Sequence, residues 1–148
     1  MLLSYRVPRE PSTPRIAVWR KLKRLGVAQL GDGLVALPAD ARTREQLEWV
    51  AEDVEQAGGS AMLWSARAES VEQERRIAAE MAAARALEYD AVREQAQAVS
   101  AADAVAVVRR LRGELRRIER RDHYPPPERV AARAAVEELI ARAAREHA

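Results

Sequence analysis

Residues 14–38 read PRIAVWRKLKRLGVAQLGDGLVALP, and this stretch decides the fold of the first third of the chain. Thr13 followed by Pro14 predicts a helix start, with a capping hydroxyl and a proline at the first helical position, where no N–H partner is lost. The helix is expected to run to about Leu25 and to stop at Gly26, a residue free to adopt left-handed backbone. At ~100° per residue, Ile16, Val18, Trp19, Leu22 and Leu25 fall on one broad face. Arg20, Lys21 and Arg24 fall opposite, so the helix presents a cationic outer ridge. Beyond it, two short apolar runs, 27–30 and 34–37, flank Gly31-Asp32-Gly33, and Asp-Gly between alternating apolar residues is a strong hairpin signal.

Working outward, Leu2 to Pro8 reads as a first strand, ended by Pro8 and Pro11. After the Leu37-Pro38 stop, Thr43 is expected to open a second helix, with Gln46 three residues on completing a capping box. Leu47, Val50, Ala51 and Val54 form its apolar stripe, and Trp49 is expected to cover an edge. Gly58-Gly59 ends that helix, and Ala61 to Ala66 is the last strand. The order βαββαβ predicts an α+β domain over 1–69, a ferredoxin-like sheet with both helices on one face. The other sheet face is then either covered or open for binding.

The remainder, 70–148, reads as a helical extension of three helices. Ser70 with Gln73 is a second capping box, and Ile77, Met81, Ala84, Leu87 and Ala91 recur at spacings of four and three. Ser100 with Asp103 marks the next start, followed by a stripe of Val105, Val108, Leu111, Leu115 and Ile118. Asp122-His123-Tyr124 and Pro125–Pro127 break the pattern before a last helix from about Glu128. That helix carries Ala132, Val136, Leu139, Ile140 and Ala143, and three such amphipathic segments imply a hairpin or bundle.

The chain has 148 residues, 48% of them apolar, with no Phe and no Cys. That length is one ordinary domain, or a small one with an appendage. Without cysteine there is no disulfide, thiol nucleophile or zinc finger. No apolar run is long enough for a membrane, and Met1-Leu2-Leu3 turns polar at once, so a cytoplasmic protein without membrane contact is expected. Total charge is nearly balanced, 25 basic against 23 acidic. Its distribution is not: up to Gly26 seven basic residues face one acidic, Glu10, whereas acids dominate from Thr43 to Glu55. Such separation suits a polyanion-facing side, or equally a soluble surface.

Arg20, Lys21 and Arg24, flanked by Lys23 and Arg15, are the candidate DNA contacts, since they could track a phosphate backbone. The alternative is a solvated helix face. Arg109, Arg112, Arg116 and Arg120 belong to a second arginine run and are candidates for an oxyanion or a secondary phosphate contact. Glu114 and Glu119 sit three and four residues from several of them, and ion pairs within the helix are the competing explanation. His123 and His147 lack metal-ligand spacing, and Asp32 is expected in its turn for conformational reasons. No acid, base and nucleophile converge, so no catalysis, metal or cofactor is expected.

The pattern at 14–38, followed after one helix by AGGSAMLWSAR at 57–67, resembles the N-terminal domain of the chromate-resistance regulator family ChrB. The residues that carry the likeness are Val18, Trp19, Arg20, Leu22, Arg24, Leu25, Gly26, Leu37 and Pro38, and Ile118 to Pro127 looks like a later family element. The resemblance implies a transcriptional regulator of chromate-efflux genes. It also implies a ferredoxin-like core related to the C-terminal part of the PaaX family. Promoter DNA, a chromate oxyanion and a second copy in a homodimer are the partners expected on this reading. Full-length members carry a further C-terminal domain, and this sequence ends at Ala148. If sensing requires that domain, this chain is expected either to bind without sensing or to act with a separately encoded partner. The alternative is an interaction or oligomerisation module that serves a separate chromate sensor.

Overall fold

The computed structural model describes all 148 residues, Met1–Ala148. The chain forms two compact units, Met1–Ile77 and Ala78–Ala148. It is an α+β protein with one four-stranded antiparallel sheet and five α-helices.

In the first unit the elements are β1 (Leu2–Arg6), α1 (Ser12–Leu25), β2 (Ala28–Gly31), β3 (Leu34–Ala36), α2 (Ala41–Gln56) and β4 (Ser60–Trp64). The strand order is β2-β3-β1-β4, and every neighbouring pair is antiparallel. Each helix therefore joins two parallel strands that have a strand of the other βαβ unit between them. Register fixes the faces, because side chains alternate along a strand. Leu3 lies opposite Val35 on one side and Leu63 on the other. Leu3 and Val35 are wholly buried, as are Leu22, Leu47 and Val54 from the helices. Burying each such side chain contributes about 1.5–3 kcal/mol.

Helix α1 begins at Ser12 behind Pro11, and no side chain caps it. The expected Thr13 cap is therefore corrected: Thr13 is already helical. Pro14 is tolerated one step further in because the first four N–H groups of a helix lack internal partners. Gly26 ends the helix as expected, with φ 73° and its N–H donating to the Lys23 carbonyl at 3.1 Å. For α2 the cap is Asp40, not Thr43. The Asp40 carboxylate accepts from the Thr43 N–H at 2.8 Å, and the Asp40 N–H donates to Thr43 Oγ1 at 3.1 Å. Thr43 Oγ1 in turn donates to the Pro38 carbonyl at 2.5 Å, which satisfies a hydroxyl that is completely buried. A carboxylate at the positive end of the helix is the better acceptor, and the threonine moves one turn inside. The Asp40 carboxyl is held below its ordinary pKa, chiefly by the Thr43 N–H.

Two glycines are demanded by close backbone approach. A Cβ on Gly33, which has φ 68°, would stand 2.4 Å from the Tyr5 carbonyl oxygen. One on Gly59 would stand 2.2 Å from that of Arg6. These positions pin the hairpin and the entry into β4 against β1.

In the second half the elements are α3 (Val71–Ala98), a 3-10 turn (Ala101–Asp103), α4 (Ala104–Arg120) and α5 (Glu128–Glu146). Ser70 and Gln73 form the expected box at the start of α3, each side chain bonded to the other's N–H at 3.2 Å. The second unit's core joins Tyr89, Val92 and Ala96 of α3 to Leu111, Leu115 and Ile118 of α4 and Ala132, Val136 and Leu139 of α5. The apolar face expected for α3 is corrected. Met81 is buried, but Leu87 is 73% exposed, and Ala84 and Ala91 are exposed. The α4 stripe holds except at Val105, which is 67% exposed.

Candidate functional site

On α1 the buried side chains are Val18 and Leu22, with Trp19 and Leu25 half-buried beside them, which turns the opposite side outward. Arg20, Lys23 and Arg24 are exposed and fall within about 100° of helix arc, with Lys21 and Arg15 on the two flanks. Ile16, expected in the core, lies in the middle of this arc and is 47% exposed. The five candidate cations do not have equal freedom. Lys21 Nζ is ion-paired with Asp53 of α2. Lys23 Nζ sits 5.6 Å from the centre of the Trp19 ring, a cation–π contact. Lys23 and Arg24 also lie in the last turn, where cations complement the helix dipole. Arg15 acts on the Tyr5 phenol, whose pKa is raised chiefly by burial, with the Arg15 charge pulling it back and Asp32 adding to the rise. Arg20 and Arg24 make no ion pair.

On α4 the buried positions Val108, Leu111, Leu115 and Ile118 set the opposite face. Arg109, Arg112, Arg116 and Arg120 then form one exposed row about 17 Å long and about 80° wide. Of the two carboxylates on this helix, Glu119 is taken by α5 and Glu114 makes the expected pair within the helix, but with Arg110 outside the row. Glu119 accepts from Arg133 of α5 at 2.7 Å and lies 3.8 Å from Arg129. Glu114 pairs only with Arg110, at 3.6 Å. Arg112 has a loose partner, Glu137, at 3.9 Å, and Arg121 just past the helix pairs with Glu88. Arg109, Arg116 and Arg117 have no carboxylate within ion-pair distance.

Two residues of this face were absent from the sequence-based candidates. Arg117 is exposed beside the row. Gly113 lies between the row and Arg117, where a glycine costs a helix about 1 kcal/mol relative to alanine. A Cβ there would meet only Arg117 Nη1 at 3.5 Å and Arg116 Nη2 at 3.8 Å, ordinary contacts. Packing therefore does not require this glycine. The spacing 109, 113, 117 was the signal for both residues.

A polar cluster supports α4 from below. The buried Tyr89 hydroxyl donates to Asp122 Oδ2 at 2.7 Å, and burial followed by this bond pushes the phenol pKa well up. Asp122 thus sits in a packed helix-ending turn. The outer sheet face is open, as one of the two alternatives required: Met62 is 55% and Trp64 48% exposed. Trp64 Nε1 donates to Ser4 Oγ at 2.9 Å. No group of three or more His, Asp or Glu side chains is placed to hold a metal ion, and no helix is long and apolar enough to cross a membrane. The two arginine faces can attract and orient anions, through guanidinium forks rather than through any enclosed reaction site.

A family model described as Protein ChrB, N-terminal, matches residues 15–102. The match spans more than half of the chain, which belongs to this family and is thereby associated with chromate resistance. No curated protein and no solved structure matches it. The matched residues run from the start of the α1 row to the turn before α4. The α4 arginines, and the Ile118–Pro127 segment that resembles a family element, lie beyond them.

Proposed function

We propose that this ChrB-family chain is a non-enzymatic regulatory module that contacts DNA, in the cytoplasm and as a homodimer. The observation that carries the reading is the outward row on α1, where Arg20 and Arg24 stand exposed without carboxylate partners on a helix whose inner face is locked into the core. Such a row suits backbone phosphates, which position a protein on a duplex without reading bases. The one aromatic ring beside it, Trp19, is half-buried and engaged by Lys23, so the row's contribution is affinity and register. We read the first unit as ferredoxin-like. Its strand order, taken from the other edge, is β4-β1-β3-β2 with all neighbours antiparallel, the arrangement two interleaved βαβ units produce.

The test is retardation of a duplex from the protein's own gene neighbourhood against a scrambled one, at two salt concentrations, with and without chromate. Replacing Arg15, Arg20 and Arg24 by Glu should abolish binding. Unchanged affinity in that variant would end the assignment. Release by chromate would place sensing in this chain, and indifference to chromate would place it in a partner.

A second reading, an interaction or oligomerisation module serving a separate chromate sensor, draws on the exposed Met62 and Trp64 of the sheet and Leu87 of α3. A stable oligomer by light scattering, with no salt-dependent DNA affinity, would favour it.

A further inference from the structure

We propose that the outward face of α4 is a second contact surface for the nucleic-acid backbone, with Gly113 as a notch through which a phosphate reaches the helix between the guanidiniums of Arg109, Arg112, Arg116 and Arg117. The proposal rests on the DNA reading above and deepens it, because it assigns a backbone contact to a helix outside the matched family segment.

Four observations carry it. The cations share one face, and the two acids of the helix are engaged by arginines outside the row. Glu119 is drawn to Arg133 and Arg129 of α5, and Glu114 is held by Arg110. Local helix electrostatics do not account for the row. Cations in a last turn answer the dipole, which covers Arg117 and Arg120. Arg109 and Arg112 lie well before that turn and gain nothing from it. Like charges are also crowded: Arg116 Nη2 and Arg117 Nη1 both converge on the space where a Gly113 Cβ would stand. An anion seated there relieves their repulsion and accepts from both forks.

The shape of the face selects the class of ligand. A lone small oxyanion is held best where several donors surround it and exclude water. Here the guanidiniums of residues 109–117 are exposed along about 12 Å of one helix. An open row of that length matches a polymer with repeating negative charge, which gains affinity by releasing condensed counterions at each neutralised phosphate. The exposed face of α4 carries no aromatic side chain, so this surface would be indifferent to sequence.

The experiment uses the full chain and a fluorescent duplex of random sequence, with anisotropy titrations between about 50 and 200 mM salt. Three variants are compared: Arg109→Gln/Arg116→Gln/Arg117→Gln, Gly113→Ala, and the α1 triple Glu variant. The α4 triple variant should bind more than tenfold more weakly at low salt, and its log affinity against log salt should be shallower by about three units. Gly113→Ala should weaken binding severalfold while raising the thermal midpoint, a combination that loss of structure cannot mimic. An unchanged slope in the α4 triple variant, alongside weakened binding by the α1 variant, overturns this proposal and leaves the DNA reading intact. Wild-type affinity in Gly113→Ala overturns the notch. A wild-type chain that binds no duplex at any salt overturns both readings. Loss in the α4 variant with none in the α1 variant supports this surface and removes the α1 assignment.

Discussion

The two units solve the packing problem with different materials. The first unit, Met1–Ile77, fills its core with Leu and Val from alternating strand positions and from two helices, and it brings backbones together at Gly33 and Gly59. The second, Ala78–Ala148, uses Ala96, Ala104, Ala132 and Ala143 beside its larger residues and bonds the buried Tyr89 to the half-buried Asp122. Large side chains and glycine contacts specify a register by shape. Alanine contributes little area and little contrast between faces, so helix rotation must be fixed by something else, and the Tyr89–Asp122 bond is suited to do so. All three tryptophans lie in the first unit, at 19, 49 and 64, while the second is helical throughout. Tryptophan fluorescence therefore reports on the first unit, whereas far-UV circular dichroism sums the helices of both, α1 and α2 together with α3, α4 and α5.

The largest expected effects test the shape-based side of this contrast. Leu47→Ala in the first unit and Leu139→Ala in the second empty wholly buried sites and should each cost about 2–5 kcal/mol. Gly33→Ala, with its Cβ forced onto the Tyr5 carbonyl at positive φ, should cost about 3 kcal/mol. In urea titrations, Leu47→Ala and Gly33→Ala should move the fluorescence transition and Leu139→Ala the dichroism transition. A Gly33→Ala protein as stable as wild type would show that close approach does not hold the hairpin.

Next in size is Tyr89→Phe, which leaves Asp122 Oδ2 without its donor and should cost about 1–3 kcal/mol, read by dichroism. This residue also predicts an alkaline signature. The folded state holds the phenol's pKa above its ordinary value of 10.0. Its contribution is therefore complete below about pH 10 and is lost as pH rises toward the folded value. Melts across that range should show wild type losing stability with rising pH and Tyr89→Phe doing so less. Equal slopes would remove the polar pair from the comparison.

At the acid end, the depressed Asp40 carboxyl works in the opposite sense. Its stabilisation of α2 is present above the ordinary value of 3.8 and is lost as pH falls through the lower folded value. Asp40→Ala should lower the fluorescence midpoint at neutral pH and flatten its fall in acid. Smallest is Lys21→Ala, which breaks the ion pair with Asp53 and should cost less than about 1 kcal/mol. It should also reduce duplex affinity less than Arg20→Ala does, because Lys21 is already engaged. Anisotropy with the two single variants would decide that.

Legibility followed the same division. The first unit's elements could be read because Gly26, Asp32-Gly33 and Gly58-Gly59 are punctuation with backbone causes. Even there the caps were misplaced by a few residues. Thr13 and Thr43 are good caps in isolation, and only the folded chain shows Asp40 reaching the Thr43 N–H and Thr43 reaching Pro38. For α3 the spacing Met81, Ala84, Leu87 and Ala91 fitted a helix face but not the one that packs. Tyr89 and Val92 are larger than the alanines around them, and they carry that helix into the core. The arginine rows were legible as positions on a helix, since 109, 112, 116 and 120 share a face by geometry alone.

By itself, then, the sequence determined the order of elements, the hairpin, the helix-ending glycines and which cations share a helix face, because each depends on a few neighbouring residues. Only the tertiary structure decided which of those cations remain unpaired. Asp53 reaches Lys21 from another helix, and Arg133 draws Glu119 away from α4. Ion pairing between elements depends on distances that no local periodicity encodes.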